Sequence, residues 1–202
     1  MGDTYKTIDE PAEGLFKDKG SKFFAYAYPF TDEEDLKIRI ASLKDLHPKA
    51  RHHCWAYRLT PDRSVFRAND DGEPSGSAGK PILNTLLSND VTNILVVVVR
   101  YFGGTLLGVP GLIHAYKTAT QEALNAAEVI EKQVMEKYAL RFDYLQMNDV
   151  MRVMKEEAVT VIRQEFDNQC LIEFNIRTSL SESVTGRIEK IEGVNLEHIG
   201  TI

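Results

Sequence analysis

The residues best suited to chemistry lie in a segment rich in glycine, serine and acidic side chains, from Asn69 to Pro81. Glycines just before a predicted helix present backbone N–H groups to an anion, and Ser75, Ser77 and Lys80 add hydroxyls and a positive charge. The alternative is a solvated turn made of residues that are common at helix starts. In either case the loop is formed by Asp70, Asp71, Gly72, Glu73, Pro74, Gly76 and Gly79.

The spacing in this segment excludes the best-known enzyme motifs. A Walker A loop ending at Lys80 needs glycine at position 74 and serine or threonine at position 81, and both positions hold proline. A nucleophile elbow needs glycine two residues before its serine, where Ser75 has Glu73. Asp70 and Asp71 offer oxygen ligands to a cation, but the spacing of an EF-hand is absent. We therefore predict no catalytic residue, no metal site and no cofactor.

A second glycine-rich loop runs from Arg100 to Gly111, after the most apolar predicted strand and before the longest predicted helix. A ligand often binds at the carboxyl end of a buried strand, where Arg100 would contact a phosphate. The spacing of Gly103 and Gly104 does not match the dinucleotide-binding fingerprint. The alternative is that glycine is needed at these positions because φ is positive or the backbone packs closely, and that Arg100 pairs with a carboxylate such as Asp71.

A short basic segment, from Lys49 to His53, precedes Cys54. Because the other histidines are isolated in the sequence, we predict no metal site here, and Cys54 is predicted to be a buried, inert thiol. Together with the two loops, this segment completes a predicted anion- or nucleic-acid-binding set, with Phe102 available for base stacking. The set comprises Arg51, His53, Arg67, Ser75, Ser77, Lys80, Arg100, Tyr101 and Lys117.

Composition limits the function further. The chain of 202 residues has 43% hydrophobic residues and a formal net charge of -6, which excludes a wholly disordered chain and a generally basic nucleic-acid binder. Residues 1–130 carry 15 basic against 17 acidic residues, and residues 131–202 carry 9 against 13, so most of the excess acid lies in the second part. The longest apolar run, Ile94 to Val99, is too short to span a membrane, and we expect a cytoplasmic protein.

Periodicity divides the chain into two predicted domains, residues 1–130 and 131–202. In the second, strands at 134–143, 159–166, 170–177 and 194–199 alternate with helices at 147–158 and after Ser179, where Glu182 completes a capping box. Asp167 and Asn168 form the turn of a hairpin. The order β-α-β-β-α-β predicts a ferredoxin-like α+β fold.

The first predicted domain is less regular. Strands are expected at 22–30, 53–59, 64–67 and 92–101. Helices are expected at 36–43, 82–88 and 110–127, the first opened by a capping box of Thr31 and Glu34 and the second by Pro81 in its first turn.

Several segments together resemble the YigZ/IMPACT family. They are Lys19 to Phe23, His53 to Tyr57, Asp70 to Gly76, Ala78 to Pro81 and Val98 to Gly104. The resemblance covers the whole chain and implies a ribosomal-protein-S5-domain-2-like domain followed by a ferredoxin-like domain. Eukaryotic relatives regulate translation by binding the activator of a starvation-responsive kinase. The chain begins almost at the family core, so we expect it to be a bacterial member without their extra N-terminal interaction domain.

These observations favour a non-enzymatic binding protein that regulates translation by contacting RNA, a ribosome-associated partner or a translation factor. One alternative is an enzyme acting on a phosphorylated small molecule or nucleotide, in which Asp70 or Asp71 would hold magnesium and Lys80 would neutralise phosphate. Another is a protein-interaction module that uses the same surface. The sequence leaves the oligomeric state open.

Overall fold

A computed structural model describes residues 3–167 and 169–202 and divides them into two units. One unit is Tyr5–Lys132; the other is Gln133–Ile202 together with residues 3 and 4. The division falls two residues after the position expected from periodicity. Among the helices of these ranges, none combines the length and the apolar character that a membrane crossing requires.

The first unit is built on an antiparallel sheet of five strands in the order β2-β3-β6-β4-β5. A short two-stranded sheet pairs β1 with β7. The strands are β1 (Thr4–Ile8), β2 (Ala12–Asp18), β3 (Ser21–Pro29), β4 (His52–Leu59), β5 (Val65–Asn69), β6 (Ile94–Tyr101) and β7 (Val129–Gln133).

Three helices cover the two faces of this sheet: α1 (Leu36–Leu46), α2 (Gly79–Ser88) and α3 (Gly108–Ala126). Alternate residues of β6 enter two separate cores, one with Val96 and Val98 under α2 and α3, the other with Val97 and Val99 beside α1. Because both faces are covered, β6 is apolar at successive positions instead of alternating. This explains the apolar run that marked the strand in the sequence.

Local signals in the first unit predicted some boundaries wrongly. Strands β1, β2 and β7 were not expected, because their exposed residues give weak periodicity. The capping box of Thr31 and Glu34 is also wrong, since the Asp32 carboxylate accepts the Glu34 N–H at 2.9 Å and a 3₁₀ turn precedes α1. Helix α2 begins at Gly79, which places Pro81 in its first turn as predicted.

The second unit has the element order expected from periodicity. Its elements are β8 (Met135–Phe142), α4 (Met147–Glu156), β9 (Thr160–Phe166), β10 (Cys170–Arg177), α5 (Thr178–Ile188) and β11 (Asn195–Thr201). The strands pair antiparallel in the order β11-β8-β10-β9, and α4 and α5 pack on one core with alternate residues of β8 and β10. Asn168, half of the expected turn, lies outside the described residues. The expected Ser179–Glu182 capping box is wrong, because α5 begins at Thr178, so that Ser179 lies inside the helix, and no side chain caps its start.

A buried carboxylate ties the ends of this second sheet together. Glu136 on β8 is 9% exposed and accepts hydrogen bonds from Thr178, Thr201 and His198 at 2.9, 2.8 and 2.7 Å. Burial alone raises the pKa of Glu136, but these three donors outweigh it and hold the pKa below its ordinary value of 4.5. The ionised carboxylate therefore fixes the start of α5 and strand β11 to β8.

We predict that Glu136→Gln lowers the free energy of unfolding of the second unit by about 2 kcal/mol at pH 7, because a charged acceptor of three bonds is lost. Since the folded-state pKa is depressed, the stabilisation is present above the unfolded-state pKa and disappears as the pH falls through the folded-state value. Urea unfolding of both proteins over a pH series measures this. Glu197→Gln, which removes an exposed pair with Arg141, is the matched control and should change little. An equal loss in both variants would contradict the prediction.

Candidate functional site

The Asn69–Pro81 loop is organised around one of its own carboxylates. Asp70 accepts hydrogen bonds from the backbone N–H groups of Gly76 at 2.8 Å, Ala78 at 3.1 Å and Gly79 at 2.7 Å. These are the N–H groups expected to bind an external anion. The expectation is corrected here, because the negative charge that the loop and the start of α2 attract is supplied from within the chain.

A buried ion pair joins this loop to β6 and α3. Arg100 donates from Nη1 to Glu73 Oε1 at 2.6 Å, and the Tyr116 hydroxyl donates to the same oxygen at 2.8 Å. The two charged side chains are only 7% and 3% exposed. Arg100 therefore pairs with a carboxylate, as the alternative reading expected, but the partner is Glu73 and not Asp71. Its guanidinium is not free to contact phosphate.

Asp71 and the neighbouring polar groups are also engaged inside the fold. The Asp71 carboxylate accepts the backbone N–H of His53 at 2.6 Å, and its carbonyl oxygen lies 2.8 Å from His52 Nδ1. His53 is 4% exposed, and burial lowers the pKa of its ring, so it is a neutral core side chain and not a phosphate contact. Cys54 is fully buried and burial raises the pKa of its thiol, in agreement with an inert cysteine.

These contacts also bear on metal binding. Asp70 uses its carboxylate for three backbone donors and Asp71 uses one oxygen for a fourth, so neither presents a free chelating group. Within the described ranges, no three His, Cys, Asp or Glu side chains form a group able to hold a metal ion.

The second glycine-rich loop is fixed by close packing against the turn before β3. A Cβ atom on Gly103 would lie 1.9 Å from the carbonyl carbon of Gly20, and the Gly103 N–H donates to Ser21 Oγ at 3.1 Å. Gly104 adopts a φ of 90°, which favours glycine. Beside these positions, Phe102 is 57% exposed and Leu106 is 82% exposed.

A cleft of about 640 Å³ opens where β4 begins and β6 ends, and two hollows of about 390 and 320 Å³ adjoin it. The register of the strands brings residues that line the cleft and its hollows together, because Lys22 is paired with Tyr101 and His52 with Arg100. We call this area the basic surface. It comprises Lys22, Lys49, Arg51 and His52 beside the rings of Tyr101 and Phe102, and Lys44 in the adjoining hollow, which Asp71 also lines. In the part of the chain that the structure describes, none of its lysines or its arginine forms an ion pair.

His47 positions the central ring of this surface, a role that sequence reasoning did not assign to it. Its Nδ1 lies 2.9 Å from the Tyr101 hydroxyl and its Nε2 lies 2.6 Å from the Tyr26 hydroxyl. Burial lowers the pKa of His47, which favours the neutral ring that donates to one phenol and accepts from the other. An isolated histidine carries no signal in the sequence, because its partners are 21 and 54 residues away.

The other residues of the predicted set lie elsewhere. Lys80 and Lys117 line a separate cleft of about 360 Å³ between α2 and α3, on the sheet face opposite α1. Arg67 on β5 pairs with Glu33 at 3.5 Å. Ser77 is buried and donates to the Pro74 carbonyl oxygen, whereas Ser75 is exposed. Only Arg51 and Tyr101 of the predicted set meet on the basic surface, with Arg100 buried behind them.

The chain is similar in sequence and in structure to several known proteins. The Impact N-terminal domain matches residues 19–124. A Haemophilus influenzae protein described as an IMPACT family member is 35% identical over 87% of this chain and 86% of its own length. The Escherichia coli IMPACT family member YigZ is 34% identical over 73% of this chain and 74% of its own. A crystal structure described as that of a hypothetical protein is 27% identical and superposes with a TM-score of 0.76 over 99% of both chains.

We predict that Arg100→Met lowers the free energy of unfolding of the first unit by about 3 kcal/mol, because it leaves the Glu73 carboxylate buried without its cation. Trp55, the single tryptophan of the chain, lies on β4 and reports unfolding of this unit by fluorescence in urea. Arg51→Met, which removes an exposed cation from the same end of the sheet, should leave stability within about 0.5 kcal/mol of the parent. Equal stability of the two variants would show that the buried pair does not hold the loop.

Proposed function

The chain belongs to the IMPACT family, and from that premise we propose that it regulates translation by binding RNA through the basic surface. The observation that carries the proposal is local. Three exposed cations and His52 line clefts with two aromatic rings, and a fourth cation, Lys44, lies in the adjoining hollow, although the whole chain has a formal net charge of -6. Phosphates are bound by lysine and arginine, and unpaired bases stack on aromatic rings, so the surface offers both kinds of contact.

Unpaired cations matter more here than the total charge. Lys22, Lys44, Lys49 and Arg51 come from a strand end, a helix and the loop before β4, so the fold concentrates charges that are dispersed in the sequence. Exposed cations without carboxylate partners create a local positive potential over about a Debye length, which is about 8 Å at physiological salt. An acid also lies within that distance: Asp71 lines the hollow of Lys44 and Arg51, and one of its carboxylate oxygens accepts the His53 N–H. Acidic residues farther away are screened.

Two aromatic rings give this charged area a stacking platform. Tyr101 is fixed through its hydroxyl by the neutral His47 ring. Phe102 is 57% exposed, and the Arg100 guanidinium carbon lies 5.7 Å from its ring centroid. Arg100 thus supports a stacking residue instead of contacting phosphate itself. This set fits single-stranded RNA, whose bases are accessible, better than a duplex.

The alternative of an enzyme acting on a phosphorylated small molecule is less well supported. It would need Asp70 or Asp71 to bind magnesium, and both carboxylates accept hydrogen bonds from backbone N–H groups. A binding protein is therefore the function that the geometry favours.

For the two units we also propose the folds implied by the family, an S5-domain-2-like fold for the first and a ferredoxin-like fold for the second. The antiparallel order β11-β8-β10-β9 supports the second of these.

We predict that binding of a single-stranded RNA oligonucleotide weakens about 50-fold between 50 and 200 mM salt, because four phosphate contacts give a slope of about -0.7 for each contact. Fluorescence anisotropy titrations measure the affinity. The double variant Lys49→Met/Arg51→Met should halve the slope. Phe102→Ala should weaken binding at every salt concentration with the slope unchanged, since stacking is worth about 1–3 kcal/mol per base.

The matched control is Lys80→Met/Lys117→Met, which removes the same number of charges from the cleft between α2 and α3. Its salt slope should equal that of the parent. Equal losses in the two double variants would place the contact elsewhere and refute the assignment to the basic surface. An absence of salt-sensitive binding, together with nuclease-resistant capture of a translation factor, would replace RNA by a protein partner.

A further inference from the structure

The sheet of the second unit ends in a strand with an unusually open edge. β9 lies last in the order β11-β8-β10-β9, and all seven of its residues are exposed. They include Val161, Ile162 and Phe166 at 43%, 52% and 38% exposure. The strand contains neither lysine nor proline, two of the residues that protect a free edge, and its two charged residues, Arg163 and Glu165, are of opposite sign. Its register with β10 shifts next to Ile162, so the regular part of the edge is Arg163 to Phe166.

Further exposed apolar side chains border this edge. The Tyr144 hydroxyl donates to the Phe166 carbonyl oxygen at 3.0 Å, which holds the segment before α4 against the end of β9. Tyr144 is 60% exposed and the next residue, Leu145, is 91% exposed. An apolar strip of this kind beside unpaired backbone groups is typical of an interaction surface.

The charges of β9 are complementary to those of an identical antiparallel strand, which favours a second copy of this chain as the partner. A two-fold axis normal to a sheet places one residue opposite itself in an antiparallel pair of identical strands. With Gln164 on the axis, Arg163 of each copy faces Glu165 of the other, and all three residues lie within the regular part of the edge. Centring the pair on Arg163 or Glu165 instead places that charged residue opposite its own copy, and the Arg163–Asp167 pairs of the Glu165-centred arrangement involve a residue beyond the end of β9. Centring it on Phe166 pairs most of the strand with residues beyond its end. Opposite charges at directly paired positions stabilise a sheet, and like charges destabilise it.

We propose that β9 pairs antiparallel with β9 of a second copy of this chain, with Gln164 on the two-fold axis, so that the two four-stranded sheets form one continuous sheet. The dimer buries the apolar strip and closes the free edge through an isologous interface. Because the regular segment is short, the association is weak and depends on protein concentration. This inference concerns the second unit alone and stands independently of RNA binding by the basic surface.

Sedimentation velocity of the full chain from about 10 μM to about 1 mM tests the proposal. The parent should show a reversible monomer–dimer equilibrium. Arg163→Glu and Glu165→Arg should each weaken the dimer at least about tenfold, because each puts two like-charged pairs across the axis. An equimolar mixture of the two variants should recover the parent's association, since every facing pair is again of opposite sign. The double variant R163E/E165R should recover it as well.

Glu197→Arg on β11, the opposite edge of the sheet, is the matched control and should dimerise like the parent. Far-UV circular dichroism and urea unfolding verify that each variant is folded. A parent that stays monomeric up to about 1 mM, or a dimer that both single variants retain, would overturn the proposal. Failure of the mixed variants to associate would also overturn it, because opposite charges would then face each other without effect.

Discussion

The ion pair of Glu73 with Arg100 is the interaction on which the part of the first unit that carries the basic surface depends. One carboxylate oxygen receives hydrogen bonds from Arg100 on β6 and Tyr116 on α3, and thereby joins the loop after β5 to two other elements. Removing two charges from water is costly, and a pair this deeply buried is tolerated only with good geometry and additional donors. Tyr116 supplies such a donor, and the Phe23 ring lies 5.5 Å from the guanidinium carbon.

The same loop shows how an acidic segment can adjoin a basic surface. Its three carboxylates accept hydrogen bonds from within the unit: Asp70 from the N–H groups of Gly76 and of the start of α2, Asp71 from the His53 N–H, and Glu73 from Arg100. Their charges are compensated internally by backbone donors and one buried cation. Among the described residues, the lysines and Arg51 on the neighbouring elements form no ion pair, so their charges contribute to the local positive potential.

Much of the architecture could be predicted from periodicity and glycine positions, because these signals are local. The β-α-β-β-α-β order of the second unit and the buried strand β6 follow from alternation and an apolar run. Strands β1 and β7 could not be predicted in this way, since they pair with each other from opposite ends of the first unit. β2 forms a hairpin with β3, but its many exposed residues give weak periodicity. Caps were also misjudged: Asp32 replaces Thr31 as the capping side chain, and neither Ser179 nor Glu182 caps α5.

The candidate site was harder to predict for a related reason. Residue type identifies Arg100 as a cation, but only the fold shows that Glu73, 27 positions earlier, neutralises it. Lys22 and His47 had no local signal, yet the pairing of Lys22 with Tyr101 and the contact of His47 with the same phenol bring both to the basic surface. Strand pairing decides which cations come together, and buried ion pairs decide which charges are neutralised inside the fold. The sign of a local surface therefore depends on both. A net charge of -6 is therefore compatible with a surface that attracts polyanions.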